Sequence, residues 1–303
     1  MFEIKHKDTG EVLATINSNS LAGADLKEYD LPGADLSGQD LSGANFYNSD
    51  LTGADLRGAN LRSASLINTV LDKADLVEAV LQNATLLGAR LNHAKLDKAN
   101  LSNAILGGES DRPANFSRAS LKEATLIGAT MEHTIFTAAD MRESDLNNSN
   151  LMSANLTGTN LEGASICDAL LNRADMAGSN LSRADLCGAH MNFANLADVN
   201  LTDAQFSGEE TQQAAILTGT NMQRAVLVGA QLAKTVLQKA DLTRSNLHNA
   251  NLSYALMSGA NLHHANVEGA DFTGVNLGTV SLDYANFSKS KYADIPSGKS
   301  NIR

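Results

Sequence analysis

An apolar residue returns every five positions through most of this chain: Leu21, Leu26, Leu31, Leu36, Leu41, Phe46, Leu51, Leu56 and onward to Leu106. A helix turns about 100° per residue, so a five-residue period rotates successive leucines by roughly 140° and scatters them round its surface. A straight strand alternates faces at every residue, so an odd period throws successive leucines to opposite sides. Neither element buries the series on one face. A chain that turns a corner after each short segment does, because every centre then points back to a common axis.

The residues between the centres agree with such corners. Two places before each centre the residue is usually alanine, as at Ala24, Ala34, Ala44, Ala54 and Ala59. Of 23 glycines, 19 fall two places after a centre, from Gly23 to Gly274. A corner at that point needs a left-handed backbone or a close approach, which glycine supplies without steric cost. The Ala-Asp-Leu segments Ala24-Asp25-Leu26 and Ala184-Asp185-Leu186 resemble the pentapeptide repeat family, as do Ala44-Asn45-Phe46 and Ala265-Asn266-Val267. That resemblance implies an all-β fold: a right-handed, quadrilateral parallel β-helix with the centre and alanine positions inside. Four sides of five residues make a 20-residue coil. Leu21 to Tyr292 would then form roughly 13 to 14 coils, about 65 Å at an inter-strand spacing of about 4.8 Å.

Such a solenoid grows along one axis, so 303 residues are read as one continuous repeat domain rather than two. Residues 1–20 stand outside the repeat. Phe2–Lys5 and Val12–Ile16 flank Asp8-Thr9-Gly10, the pattern of a β-hairpin that caps the raw end of the stack. A substrate-binding module would need more residues. Residues 21–292 carry the repeat, with Tyr292 as its last centre, and 293–303 form a tail.

Two breaks interrupt the series. Around 107–115, Asp111 falls on a centre and Glu109 on an alanine position, yet Phe116 returns in phase. Unpaired carboxylates are costly to bury, so this side is expected to bulge outward, carrying Glu109, Asp111 and Arg112. Around 207–214 the step from Phe206 to Leu217 is 11 instead of 10, read as one inserted residue beside Glu209 and Glu210. The two breaks are recognition loops or tolerated insertions.

The formal net charge is −11, against phosphate binding through a basic surface and in favour of basic protein partners. Seven carboxylates and two cations lie between Leu21 and Asn60, a local net of −5. Coil spacing stacks Asp35, Asp55 and Asp75, with Lys95 next. Carboxylates about 4.8 Å apart repel, which raises their pKa or invites a cation; the plainer reading is a solvated surface ladder. Following the centres of one face come Tyr47, Ile67, Leu87, Ile127, Cys167, Cys187 and Val228, interrupted at Gly107, Asn147 and Ser207. They are expected to face solvent in one line. Exposed apolar surface marks an interface, whereas cross-strand pairing on a flat sheet also favours such residues.

Catalytic signatures are missing: there is no Gly-rich phosphate loop, Cys-x-x-Cys or His-Glu-x-x-His. No cofactor and no metal are implied. His93 and His133 share a face at two coils' distance, too far for one ion, and His263-His264 lacks a third ligand. Met131, Met141, Met176 and Met191 occupy centres as core fillers. Cys167 and Cys187 fall within disulfide range on adjacent coils, but a cytoplasmic setting argues for two thiols. That setting rests on the absence of a signal-like start and of a long apolar span.

The chain is therefore expected to be a non-catalytic scaffold, monomeric or homodimeric, that binds a protein through a flat face or outward loops. The resemblance implies an alternative. Some pentapeptide repeat proteins mimic duplex DNA and bind type II topoisomerases, chiefly DNA gyrase, inhibiting them or protecting them from quinolones. The moderate charge, the absence of a dimerising C-terminal helix and loops without a matching motif place this second.

Overall fold

The computed structural model describes residues 1–107, 113–208, 213–292 and 302. They form a right-handed quadrilateral β-helix without helices, preceded by a hairpin. The chain divides into two compact units, Met1–Asn155 and Leu156–Arg303.

The hairpin pairs β1 (Phe2–His6) with β2 (Val12–Ile16) antiparallel, and β1 also pairs with the short β3 (Ala34–Asp35). Asp35 bridges Asp55 on its other side, so the hairpin covers the edge that the first coil would otherwise present. Ile4 is fully buried beneath it.

The walls are built one backbone bridge at a time. In the first unit one ladder runs Asp25, Asn45, Ser65, Thr85, Ile105, and in the second another runs Ser165, Asp185, Gln205. At each level the centre's N–H donates to the coil ahead, as from Leu26 to the Asn45 carbonyl at 2.8 Å. The next residue but four returns the pattern, and the corner between is a turn closed from centre to alanine position. Ala44 N–H donates to the Leu41 carbonyl at 3.0 Å, with Gly43 at φ 65° in the third place. That is the backbone of a type II turn. Many corners carry other residues in the same left-handed state, among them Ala138 at φ 56° and Phe193 at φ 58°.

The aspartate or asparagine before each centre has a folding role. Its side-chain oxygen accepts the N–H two residues on, as Asn45 Oδ1 does from Tyr47 at 3.1 Å and Asp185 Oδ1 from Cys187 at 3.1 Å. This local bond suits short polar side chains and satisfies a donor that faces away from the stack. Asparagines also chain between coils: Asn180 Nδ2 donates to Asn160 Oδ1 at 3.1 Å, and Asn200 Nδ2 to Asn180 Oδ1 at 3.0 Å.

Inside, the leucines and alanines are dry, and Phe116 stacks on Phe136 with ring centres 5.1 Å apart. Serine and threonine replace alanine at several inward positions, where the hydroxyl donates to backbone. Thr69 Oγ1 reaches the Phe46 carbonyl at 2.7 Å, and Ser149 Oγ the Leu146 carbonyl at 2.7 Å. Tyr292 departs from its expected inward place. It is 76% exposed at φ 53°, and Phe287 is the last centre that is buried.

Both interruptions are larger than the sequence spacing suggests. Bridged residues are 20 apart along most of the solenoid, but 25 apart across the first break (Arg90 with Asn115) and 26 across the second (His190 with Ile216). Ala114 N–H still donates to the Leu106 carbonyl at 2.8 Å, and Ala215 N–H to the Phe206 carbonyl at 2.9 Å. Each excursion thus replaces a corner and rejoins the stack on the adjoining wall. The second insertion is six residues long, not one. Glu109, Asp111, Arg112, Glu209 and Glu210, proposed as loop residues, lie outside the described residues.

Candidate protein-interaction surfaces

The first apolar surface lies on one wall of the first unit. Tyr47, Ile67 and Leu87 follow centres on successive coils, with Asn48 N–H donating to the Ile67 carbonyl at 3.0 Å and Asn68 N–H to the Leu87 carbonyl at 2.8 Å. Tyr47 is 37% exposed, while Ile67 and Leu87 are half-buried. Ile105, 41% exposed, extends the patch from the position before its centre. The repeat pattern does not mark that position as apolar, because its usual occupants are aspartate and asparagine. An apolar residue there gives up the local side-chain bond and is itself the signal. By the same sign, the second unit carries a ladder of Ile216, Val236 and Leu256, the last well exposed.

Ile127, the remaining member of the expected line in the first unit, does not join this wall. The five-residue excursion moves Ile127 to another face, where its carbonyl accepts the Asn103 N–H at 2.9 Å. Glu132 and Met152 follow instead of Ile127 and Asn147, because Thr130 bridges Ile105. In the second unit Cys167 and Cys187 are neighbours, but Val228 adjoins Thr202 on a different wall, accepting the Asp203 N–H at 2.9 Å. Cys187, expected in solvent, is only 2% exposed: it lies against the Cys167 sulfur, and the Asp168 carboxylate closes over the buried Gly188 beside it.

The acidic ladder does stack, with Asp35, Asp55, Asp75 and Lys95 bridged in order. Two of its carboxylates are paired with cations. Arg57 forms a two-pronged pair with Asp55, Nε to Oδ1 at 2.9 Å and Nη2 to Oδ2 at 2.5 Å. Hydrogen bonding and charge from Arg57 hold the Asp55 carboxyl below the usual aspartate value despite its burial. Lys95 Nζ lies 3.9 Å from Asp75. Farther along, Asp140 is likewise lowered by Arg142.

The histidine pairing changes for the same reason as the apolar line. His93 N–H donates to the Ser117 carbonyl, placing it beside the Arg118 corner, whereas His133 N–H donates to Met152 on the wall of Tyr47. His263 and His264 pack edge to face at 4.4 Å, and His264 stacks on Tyr284 at 4.9 Å. Among the described residues, one trio of metal-ligating side chains converges: Cys167, Asp185 and Cys187, with ligand atoms within 4.8 Å of one another. A shallow recess of about 150 Å³ between Lys122, Glu123, Arg142 and Glu143 is lined by ion-paired groups, with Lys122 3.4 Å from Asp140 and Lys98 3.5 Å from Glu123. No helix of the described residues is long and apolar enough to cross a membrane.

Comparison with known proteins adds the family. The profile "Pentapeptide repeats" matches residues 20–58, 59–97, 74–108, 114–151, 149–186, 179–208, 213–244, 240–278 and 257–291. The chain is similar to HetL of the cyanobacterium Nostoc sp. strain PCC 7120, a pentapeptide repeat protein involved in heterocyst differentiation regulation. The two are 31% identical over 73% of this chain and 88% of HetL, with a TM-score of 0.42. A thylakoid-lumen pentapeptide repeat protein of Arabidopsis thaliana is 30% identical over 34% of this chain and 65% of its own, with a TM-score of 0.26. QnrB1, a plasmid-mediated fluoroquinolone resistance protein, is 15% identical over 80% of this chain and 92% of its own, with a TM-score of 0.18. None of the curated proteins compared matches the chain. With the repeat profile spanning nearly all of both units, the chain belongs to the pentapeptide repeat family.

Proposed function

We propose that this protein is a non-catalytic scaffold that binds a protein partner through the wall carrying Tyr47, Ile67, Leu87 and Ile105. The supporting observation is their continuity: four apolar side chains occupy adjoining coils of a rigid wall, two of them more than a third exposed. A wall held by a bridge at every coil loses little conformational freedom on binding, so apolar contact there yields affinity efficiently. A cytoplasmic setting, with a second copy or another protein as partner, belongs to this reading. Ile67→Asp combined with Leu87→Asp is expected to abolish partner capture and any self-association while leaving circular dichroism unchanged. Retained partners and an unchanged oligomeric state would refute it.

The stack of Asp35, Asp55 and Asp75 favours a second reading, mimicry of duplex DNA toward DNA gyrase or another type II topoisomerase. Carboxylates repeated about every 4.8 Å resemble a phosphate row in sign. Pairing of Asp55 with Arg57 and of Asp75 with Lys95 weakens the resemblance, and this reading stands second. A gyrase supercoiling assay with and without a quinolone tests it. Unchanged activity at stoichiometric excess of the protein would eliminate it.

A further inference from the structure

We propose that Cys167 and Cys187 are a redox modification site: a dithiol that exchanges with a low-molecular-weight disulfide to lock two neighbouring coils together. The sulfurs are 2.7 Å apart, and no disulfide joins them in the structure. Their positions are imposed by the fold. Ser165 bridges Asp185, and Asp168 N–H donates to the Cys187 carbonyl at 2.9 Å, so the two residues stand in register on adjacent strands. Both follow a centre, which aims the side chains in the same direction. No insertion lies between them to shift that register.

A disulfide needs the two sulfurs brought to about 2.05 Å, an approach that in-register side chains on adjacent strands allow. A structural zinc is held by four protein ligands, whereas three ligating side chains converge here among the described residues.

Burial orders the chemistry. Cys167 is half-buried and meets the external disulfide first. Its thiolate attacks one sulfur of the small disulfide, forming a mixed disulfide and releasing one small thiolate. The Cys187 thiolate then attacks the Cys167 sulfur, forming the intramolecular bond and releasing the second small thiolate. The two cysteine protons are taken up, directly or through solvent, by the two departing thiolates. The protein dithiol is oxidised by two electrons and the small disulfide is reduced by two. Burial, reinforced by the nearby Asp185 carboxylate, raises both cysteine pKa values, so exchange is slow at neutral pH and requires excess disulfide.

The chain has two cysteines, so intact mass reads the outcome directly. The full protein is incubated with excess oxidised glutathione at mildly alkaline pH, then unfolded and alkylated with N-ethylmaleimide. The wild type is expected to lose two hydrogens and to carry neither glutathione nor maleimide; prior reduction restores two alkylations. Cys187→Ser is expected to trap one glutathione on Cys167, whereas Cys167→Ser stays unmodified while folded. A wild type that keeps two alkylatable thiols, or retains glutathione as a stable adduct, overturns the proposal. Equal glutathione capture by the two serine variants overturns the order of attack.

Discussion

Thr134 offers a test of how the bore of this solenoid handles polar groups. It occupies an alanine position, is fully buried, and its hydroxyl has no partner among the described residues. Thr69, in the equivalent position, is equally buried but donates to the Phe46 carbonyl at 2.7 Å. The Thr134 hydroxyl instead faces Gly107, where an added Cβ would come within 2.8 Å of it. Thr→Val exchanges a hydroxyl for a methyl of nearly the same size. At Thr134 the exchange removes a desolvated group with no compensating bond, a gain of about 1–3 kcal/mol, and adds up to about 0.8 kcal/mol of apolar transfer. A net stabilisation of about 1–2 kcal/mol is expected, allowing for imperfect fit of the methyl against Gly107. At Thr69 the same exchange removes a bond with a net value of about 1 kcal/mol, offset in part by the same apolar transfer, and the variant is expected to lose up to about 1 kcal/mol. Urea denaturation of both variants, with m-values checked for constancy, measures the difference. The reasoning fails if Thr134→Val is destabilising, or if both variants shift in the same direction by similar amounts.

Two further substitutions test other parts of the coil. Ala138 holds a left-handed φ of 56°, so Ala138→Gly is expected to stabilise by about 0.5–1 kcal/mol, the relief of strain exceeding the entropy that glycine adds to the unfolded chain. A lower denaturation midpoint would contradict this. Arg57 depresses the folded pKa of Asp55, so the pair's contribution is complete above the unfolded aspartate value near 4 and disappears as pH falls through the folded value. Arg57→Gln is therefore expected to differ most from wild type in denaturation midpoint above pH 4, with the gap closing toward pH 2. A gap that is constant with pH would show that Arg57 acts through packing alone.

The five-residue period made the inward residues legible, because a single buried face at that spacing demands a corner per segment. The aspartates and asparagines before the centres were legible as motif letters, but their backbone bonds, such as Asp185 to the Cys187 N–H, appear only in three dimensions. The larger failure has a simple geometric cause. A periodicity of five cannot detect an excursion of five: Phe116 falls in phase with Leu106 whether one wall has been skipped or none. Surface alignments are consequently reliable only between excursions. Asp35 with Asp55 and Asp75, Tyr47 with Ile67 and Leu87, and Cys167 with Cys187 each lie within an uninterrupted run, and each stacks as the spacing requires. Ile127 and Val228, each lying beyond an excursion, leave the expected line, and the pairing of His93 with His133 is broken by the first. The step from Phe206 to Leu217 was visible as an extra residue but concealed a skipped wall as well, since 26 residues separate the bridged partners Gln205 and Gln231. An outward face on such a solenoid is thus a property of the count between insertions, and any surface site inferred across one must first be assigned to its wall.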